Sequence, residues 1–92
     1  MGYEFEWDPA KARTNRRKHG VSFDEATSVF ADPFSINMPD PTHSVAEDRF
    51  LVLGRAASAR LLIVAYAERG QRTRLISARR ASPSERRLYA EG

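Results

Sequence analysis

The chain has 92 residues, no cysteine and a formal net charge of +3. This length predicts one domain, spanning residues 1–92, whose core is large enough to need no disulfide or structural metal. The lack of cysteine excludes thiol catalysis and zinc–cysteine sites and favours a reducing cytoplasm, and no run of residues is apolar for long enough to cross a membrane.

Charge is distributed unevenly along the chain. Residues 1–48 hold five basic and nine acidic side chains, whereas residues 49–92 hold ten arginines and three glutamates. Thirteen of the fifteen basic residues are arginine, whose planar fork binds phosphate or carboxylate through two hydrogen bonds. A GC-rich genome would also favour arginine codons, but it would not concentrate them in one half. The second half is therefore predicted to face a polyanion.

The N-terminal segment predicts a strand followed by a polar helix. Residues 3–7 alternate aromatic and acidic side chains, which is typical of an edge strand with one wet face. Asp8 is a helix N-cap, and Gly20 is a C-cap, so the helix is predicted from Pro9 to His19. Since it contains no large apolar side chain, its neighbours must hold it in place. Its candidates for an inward face are Ala10, Ala12, Asn15 and His19.

A second helix is predicted from Phe23 to Ala31. Ser22 and Glu25 have the spacing of a capping box, in which each side chain binds the backbone N–H of the other residue. Apolar residues recur on one stripe of this segment, and Asp32 followed by Pro33 ends it.

The rest of the chain predicts four strands and a short helix. The strands are expected at residues 34–38, 47–54, 61–67 and 72–80, and Ser82-Pro83 begins the helix. Short turns join the last three strands, which must therefore run antiparallel. The resulting order, β-α-α-β-β-β-β-α, describes an α+β domain with helices against one face of a mainly antiparallel sheet.

The predicted strand 72–80 carries four arginines among its nine residues. Neighbouring antiparallel strands place side chains about 5 Å apart, so arginines of adjacent strands can converge on one patch. Two interpretations are open: salt bridges with nearby carboxylates, which stabilise little, or an electrostatic clamp for phosphates. The arginines concerned are Arg49, Arg69, Arg72, Arg74, Arg79 and Arg80.

Cleavage of RNA without a metal needs a base, an acid and fixed cations. The two histidines share no metal-ligand spacing and no glycine-rich phosphate loop is present, so neither a metal site nor a cofactor is predicted. Base candidates are Glu47, Glu68 and His19, although a histidine at a helix end also serves to offset the helix dipole. Tyr89 is a candidate for stacking on a base or orienting a phosphate, with a core plug as the alternative.

Several segments resemble the BrnT family, and the resemblance covers nearly the whole chain. The most specific are Lys18-His19-Gly20-Val21 and Ile76-Ser77-Ala78-Arg79-Arg80-Ala81, and residues 3–9 and 47–49 also match. The resemblance implies a RelE-like fold. It also implies a ribonuclease toxin of a type II toxin–antitoxin system that cleaves RNA and inhibits translation. Together with the residue patterns above, this predicts cleavage without a metal, in the cytoplasm.

The resemblance also implies partners and site residues. The partners are an RNA substrate and a cognate BrnA-like ribbon-helix-helix antitoxin, with operator DNA bound only through the antitoxin and no membrane. The implied catalytic residues are Arg49, Arg69, Arg74, Arg79, His19, Glu47 and Tyr89. RNA contacts are expected from Arg72, Arg80 and Lys18. One rival function is a non-catalytic nucleic-acid-binding or regulatory module that uses the same arginines, and another is a degraded toxin retained as an antitoxin's partner.

Overall fold

The computed structural model describes residues 4–40 and 48–92. The elements in chain order are β1 (Glu4–Glu6), α1 (Pro9–His19), α2 (Phe23–Thr27), a 3₁₀-helix (Ser28–Ala31), β2 (Ile36–Pro39), β3 (Arg49–Arg55), β4 (Leu61–Arg69), β5 (Arg72–Arg80) and α3 (Pro83–Glu91). Glu47, one of the base candidates, lies outside the described residues.

The five strands form one sheet in the order β1-β5-β4-β3-β2. The last three strands of the chain are an antiparallel meander, and β2 adds antiparallel to β3. β1 lies at an edge, as predicted, and pairs with β5 in parallel. The mixed α+β class is confirmed, with three α-helices and a five-stranded, mainly antiparallel sheet in the described parts of the chain. The RelE-like label stays a prediction.

α1 is held against the sheet by a polar side chain. The caps are those predicted, with Asp8 accepting from the N–H of Ala10 and Gly20 at a φ of 70°. Asn15 is buried: its Nδ2 donates to the carbonyl of Ala78 and its Oδ1 accepts from the N–H of the same residue, at 2.9 and 3.0 Å. The amide thus occupies an edge of β5 as a neighbouring strand would. Ala10, expected to face inward, is exposed instead.

The second helix occupies the predicted residues but changes type midway, with the 3₁₀-helix taking over at Ser28. Ser22 caps it through the N–H of Glu25, which is half of the predicted capping box. The carboxylate of Glu25 binds Arg60 and Ser58 from the β3–β4 turn instead. A charged partner competes successfully with the backbone N–H because a charge-assisted hydrogen bond is the stronger of the two.

The sheet has two unlike faces. The covered face packs against α2 and the 3₁₀-helix and holds the main core, which includes Phe23, Val29 and Val64. The open face carries a smaller apolar cluster beside α3, around Leu53 and Ile63. The strand register places on the open face Arg49, Leu51, Leu53 and Arg55 of β3, residues 61, 63, 65, 67 and 69 of β4, and Arg72, Arg74, Ser77 and Arg79 of β5.

Candidate nucleic-acid interface

A β-bulge decides which arginines of β5 share a face. The register against β4 shifts by one residue at Ile76. Strict alternation would leave Arg80 on the same face as Arg72 and Arg74. The extra residue instead turns Arg79 to that face and Arg80 to the covered face. One inserted residue therefore decides that Arg79, and not Arg80, shares the open face with Arg72 and Arg74.

Arg49 and Arg74 flank Ala67 in a single row across three strands. Their Cα atoms are separated by two strand spacings, about 10 Å, so both long side chains can reach an anion above Ala67. Ala67 is fully buried and the Nε of Arg49 is buried with no hydrogen-bond partner among the described residues. A buried donor left without an acceptor costs about 1–3 kcal/mol, so this position suits an incoming anion.

The glutamates of β1 partly neutralise the arginines of β5. Glu6 accepts from Arg74 at 3.2 Å and from Arg72 at 3.4 Å, and Glu4 lies 3.8 Å from Arg72. The hydrogen bond from Arg74 is the main cause that holds the pKa of Glu6 below its usual value, against the opposing effect of burial. Of the two interpretations of the arginines, salt bridges therefore account for part of the charge of Arg72 and Arg74. They do not account for Arg49, with which no described carboxylate pairs.

Two further arginines meet at the β4–β5 hairpin. Arg69 is opposite Arg72 in the register, and the turn between them contains Gly70 at a φ of 62°. Both side chains are exposed, at the rim of the open face nearest Arg49 and Arg74. This end of the face, defined by Arg49, Arg69, Arg72 and Arg74, is called the hairpin cluster below.

His19 and Lys18 line a cleft between α1 and β5. The cleft has a volume of about 310 Å³ and includes Ile76 and Ser77 at the bulge. Ser77 belongs to the row of the open face next to that of Arg74. The imidazole of α1 and Ser77 thus line one cleft, while the neighbouring Gly20 accepts from Arg60 of the β3–β4 turn, at the end of the sheet opposite the hairpin.

The guanidinium of Arg79 forms an ion pair with α3. Its two terminal nitrogens bind the two carboxylate oxygens of Glu85, each at 2.9 Å, and Glu85 also accepts from the N–H of Ser82 in a complete capping box. The hydrogen bond from Arg79 is the main cause that lowers the pKa of Glu85 to about 2. The ion pair therefore fixes the start of α3 on the sheet.

Tyr89 lies at the other end of the open face. Its hydroxyl donates to Asp32 at 2.6 Å, which raises the pKa of the phenol, and the guanidinium of Arg55 lies 5.5 Å from the ring centre. Burial raises the pKa of Asp32, but the hydrogen bonds from Tyr89 and from the N–H groups of Arg55 and Phe34 outweigh it and keep that pKa low. Arg55 is six positions after Arg49 on β3, a distance of about 20 Å.

The predicted site residues therefore form two groups. Arg49, Arg69, Arg72 and Arg74 come together in the hairpin cluster, whereas Lys18 and His19 line the cleft at Ser77, and Arg79 lies farther along the open face. Tyr89 is at the opposite end, and Arg80 is on the covered face. Sequence reasoning gave no role to Ser77 or Glu6, because only the bulge and the parallel pairing of β1 bring them to the arginines.

No group of three or more histidine, aspartate or glutamate side chains that could hold a metal ion occurs within residues 4–40 and 48–92. In the same part of the chain, no helix is long and apolar enough to span a membrane.

An α+β fold that presents arginines from three strands on an open sheet face defines a protein suited to binding a polyanion. The family model described as "Ribonuclease toxin, BrnT, of type II toxin-antitoxin system" matches residues 7–85, and the chain belongs to this family. The crystal structure of the Brucella abortus ribonuclease toxin, BrnT, is similar with a TM-score of 0.65 and 25% identity over 88% of this chain and 99% of that one. No curated protein sequence matches the chain. Membership implies an RNA substrate and an antitoxin partner.

Proposed function

We propose that the chain is a metal-independent endoribonuclease that inhibits translation in the cytoplasm and is neutralised by a BrnA-like ribbon-helix-helix antitoxin. The observation that carries the proposal is the row formed by Arg49, Ala67 and Arg74, in which the buried Nε of Arg49 has no acceptor within residues 4–40 and 48–92. Guanidinium groups remain charged at any working pH, so the pair stabilises negative charge without a metal ion.

The proposed cleavage uses the 2′-hydroxyl of the RNA as nucleophile. The 2′-oxygen attacks the adjacent phosphorus and the bond to the 5′-oxygen breaks, while one proton leaves the nucleophile and another reaches the leaving oxygen. Arg49 and Arg74 stabilise the extra negative charge of the phosphorane-like transition state. Of the two base candidates among the described residues, Glu68 belongs to the covered face, opposite Arg49 and Arg74, so His19, in the cleft beside Ser77, is the candidate for the proton transfers.

The test is cleavage of RNA by the purified protein in EDTA. Arg49→Gln and Arg74→Gln are each expected to lower the cleavage rate at least about 10²-fold, as for the loss of one donor to a developing oxyanion. Arg17→Gln, an exposed arginine of α1 that does not line the cleft, is the matched control and is expected to cleave as the wild type does. Intact RNA with every preparation, together with retained RNA binding, would instead support the non-catalytic module.

The antitoxin is proposed to cover the open face, with acidic or apolar side chains over the hairpin cluster. Operator DNA is contacted only through the antitoxin, since the ribbon-helix-helix module belongs to that partner. A complex whose interface leaves both Arg49 and Arg74 accessible to solvent would contradict this part of the proposal.

A further inference from the structure

A second group of arginines surrounds a pocket at the end of the sheet opposite the hairpin. The pocket has a volume of about 190 Å³ and lies where the β3–β4 turn, the end of β5 and α3 meet. We call it the distal arginine pocket. It is lined by Arg55, Ala59, Arg60, Leu61, Arg80 and Arg86.

Two of these arginines are fixed in place by the protein. Arg60 donates to the carboxylate of Glu25 and, at 2.9 Å, to the carbonyl of Gly20. Arg55 donates to the carbonyl of Ala59 at 2.8 Å. Ala59 has a φ of 75°, the one positive value among non-glycine residues in the described parts of the chain. This conformation is unfavourable for alanine, and it is the conformation in which the Ala59 carbonyl accepts from Arg55.

The other two arginines leave the pocket with an excess of positive charge. The guanidinium groups of Arg80 and Arg86 are exposed and donate no hydrogen bond to any described residue. Glu25 is paired with Arg60, and the charge of Arg80 also helps to lower the pKa of Glu25, while Asp32 is the carboxylate that acts on Arg55. The four guanidinium groups of the pocket therefore share two carboxylates. Those of Arg55 and Arg60 are fixed by the protein, and those of Arg80 and Arg86 beside them are available to bind an anion.

The lining of the pocket indicates a nucleic acid more than a protein. Protein–protein interfaces have an apolar core, whereas protein–nucleic acid interfaces are polar and strongly basic, with most contacts to phosphate. Leu61 and Ala59 are the apolar residues of this pocket, and Leu61 is itself buried.

We propose that the distal arginine pocket binds a backbone phosphate of an RNA strand whose scissile linkage lies at the hairpin cluster. This inference rests on the proposed function, because it takes the same RNA as ligand. The strand β5 sets the separation: from Arg74 to Arg80 is six residues, about 20 Å, so the phosphate is several nucleotides from the cleaved bond. The pocket adds affinity for long RNA and does no chemistry.

The test compares two adjacent arginines of α3. Arg86 lines the pocket and Arg87 does not, and both are exposed, so Arg86→Gln and Arg87→Gln differ chiefly in the proposed contact. The ligand is a fluorescent 20-nucleotide 2′-O-methyl RNA, which cannot be cleaved through its 2′-oxygen, and affinity is measured by anisotropy over a salt series. Arg80→Gln serves as a second variant on another element.

Arg86→Gln and Arg80→Gln are each expected to weaken binding about fivefold and to reduce the slope of log K against log salt by about 0.7, the value for one phosphate of a single strand. A 4-nucleotide RNA is expected to show no difference between the variants. Equal affinities and slopes for Arg86→Gln and Arg87→Gln on the long RNA would overturn the proposal, as would absence of binding by the wild type. If the protein cleaves RNA but its affinity for the long RNA does not depend on Arg86, the proposed function is retained and the distal pocket is rejected. If the affinity depends on Arg86 but no RNA is cleaved, the distal pocket is retained and the proposed function is rejected.

Discussion

Asn15 connects α1 to the sheet at the scale of a single residue. Within α1, whose eleven residues are all described, Asn15 alone is buried, and its amide satisfies the N–H and carbonyl of Ala78 and the carbonyl of Val21. An apolar helix would be held by the hydrophobic effect, whereas this one depends on three directional contacts.

Asn15→Ala is expected to lower the free energy of unfolding by about 3 kcal/mol, because it leaves buried backbone groups of Ala78 and Val21 without partners. Urea denaturation checks this, with Thr14→Ala as the control on the exposed surface of the same helix, expected within about 0.5 kcal/mol of the wild type. A loss below 1 kcal/mol for Asn15→Ala would mean that water replaces the amide at the edge of β5.

Ala59 is a second residue whose conformation has a cost. At a φ of 75°, alanine is less favourable than glycine by about 1–2 kcal/mol in the folded state. Glycine also gives the unfolded chain more conformational entropy, which offsets part of this difference. Ala59→Gly is therefore expected to raise the free energy of unfolding by about 0.5–1 kcal/mol, which is measured as a higher midpoint of urea denaturation. Ala57→Gly, in the same turn, is expected to give no gain, and equal effects of the two changes would contradict the assignment of strain.

At the scale of elements, the attachment of α3 depends on pH. The pKa of Glu85 falls from 4.5 to about 2 on folding, mainly through the hydrogen bond from Arg79. Because the folded value is the lower one, the stabilisation is present above pH 4.5 and is lost as the pH falls towards 2. Solvent reaches Arg79, so the contribution at neutral pH is about 1–2 kcal/mol.

Arg79→Gln is accordingly expected to lower the free energy of unfolding by that amount at pH 7 and by much less near pH 2.5. Denaturation at a series of pH values checks this, and Arg87→Gln is expected to keep the pH dependence of the wild type. An equal loss at both pH values would assign the effect to packing of the Arg79 stem.

Caps and alternation predicted most of the elements, since these are local properties. Asp8, Gly20 and Ser82 mark helix ends through their own side chains or backbone freedom, and β5 has the predicted bounds. The faces of its arginines were not predictable, because the bulge at Ile76 arises from pairing with β4. In the same way Glu25 has the spacing of a capping residue, and only the approach of Arg60 from a distant turn changes its partner.

At the scale of the whole molecule, positive charge occupies both ends of the sheet. The hairpin cluster and the distal arginine pocket are separated by the length of β5, and the acidic residues of β1 adjoin only the first. The arginines concentrated in the second half of the sequence thus lie at both ends of the sheet, where one extended polyanion can contact both groups.

The pairing of β1 and α1 with β5 also decides when the chain can fold. Contacts such as Glu6 with Arg74 and Asn15 with Ala78 join residues 68 and 63 positions apart. A nascent chain synthesised at about 5–20 residues per second therefore keeps its first helix undocked for several seconds, and a chain that stops at Gly70 is expected to show little helix by circular dichroism. β1 and α1 can therefore dock on β5 only after residues 74 and 78 have been synthesised and have left the ribosome.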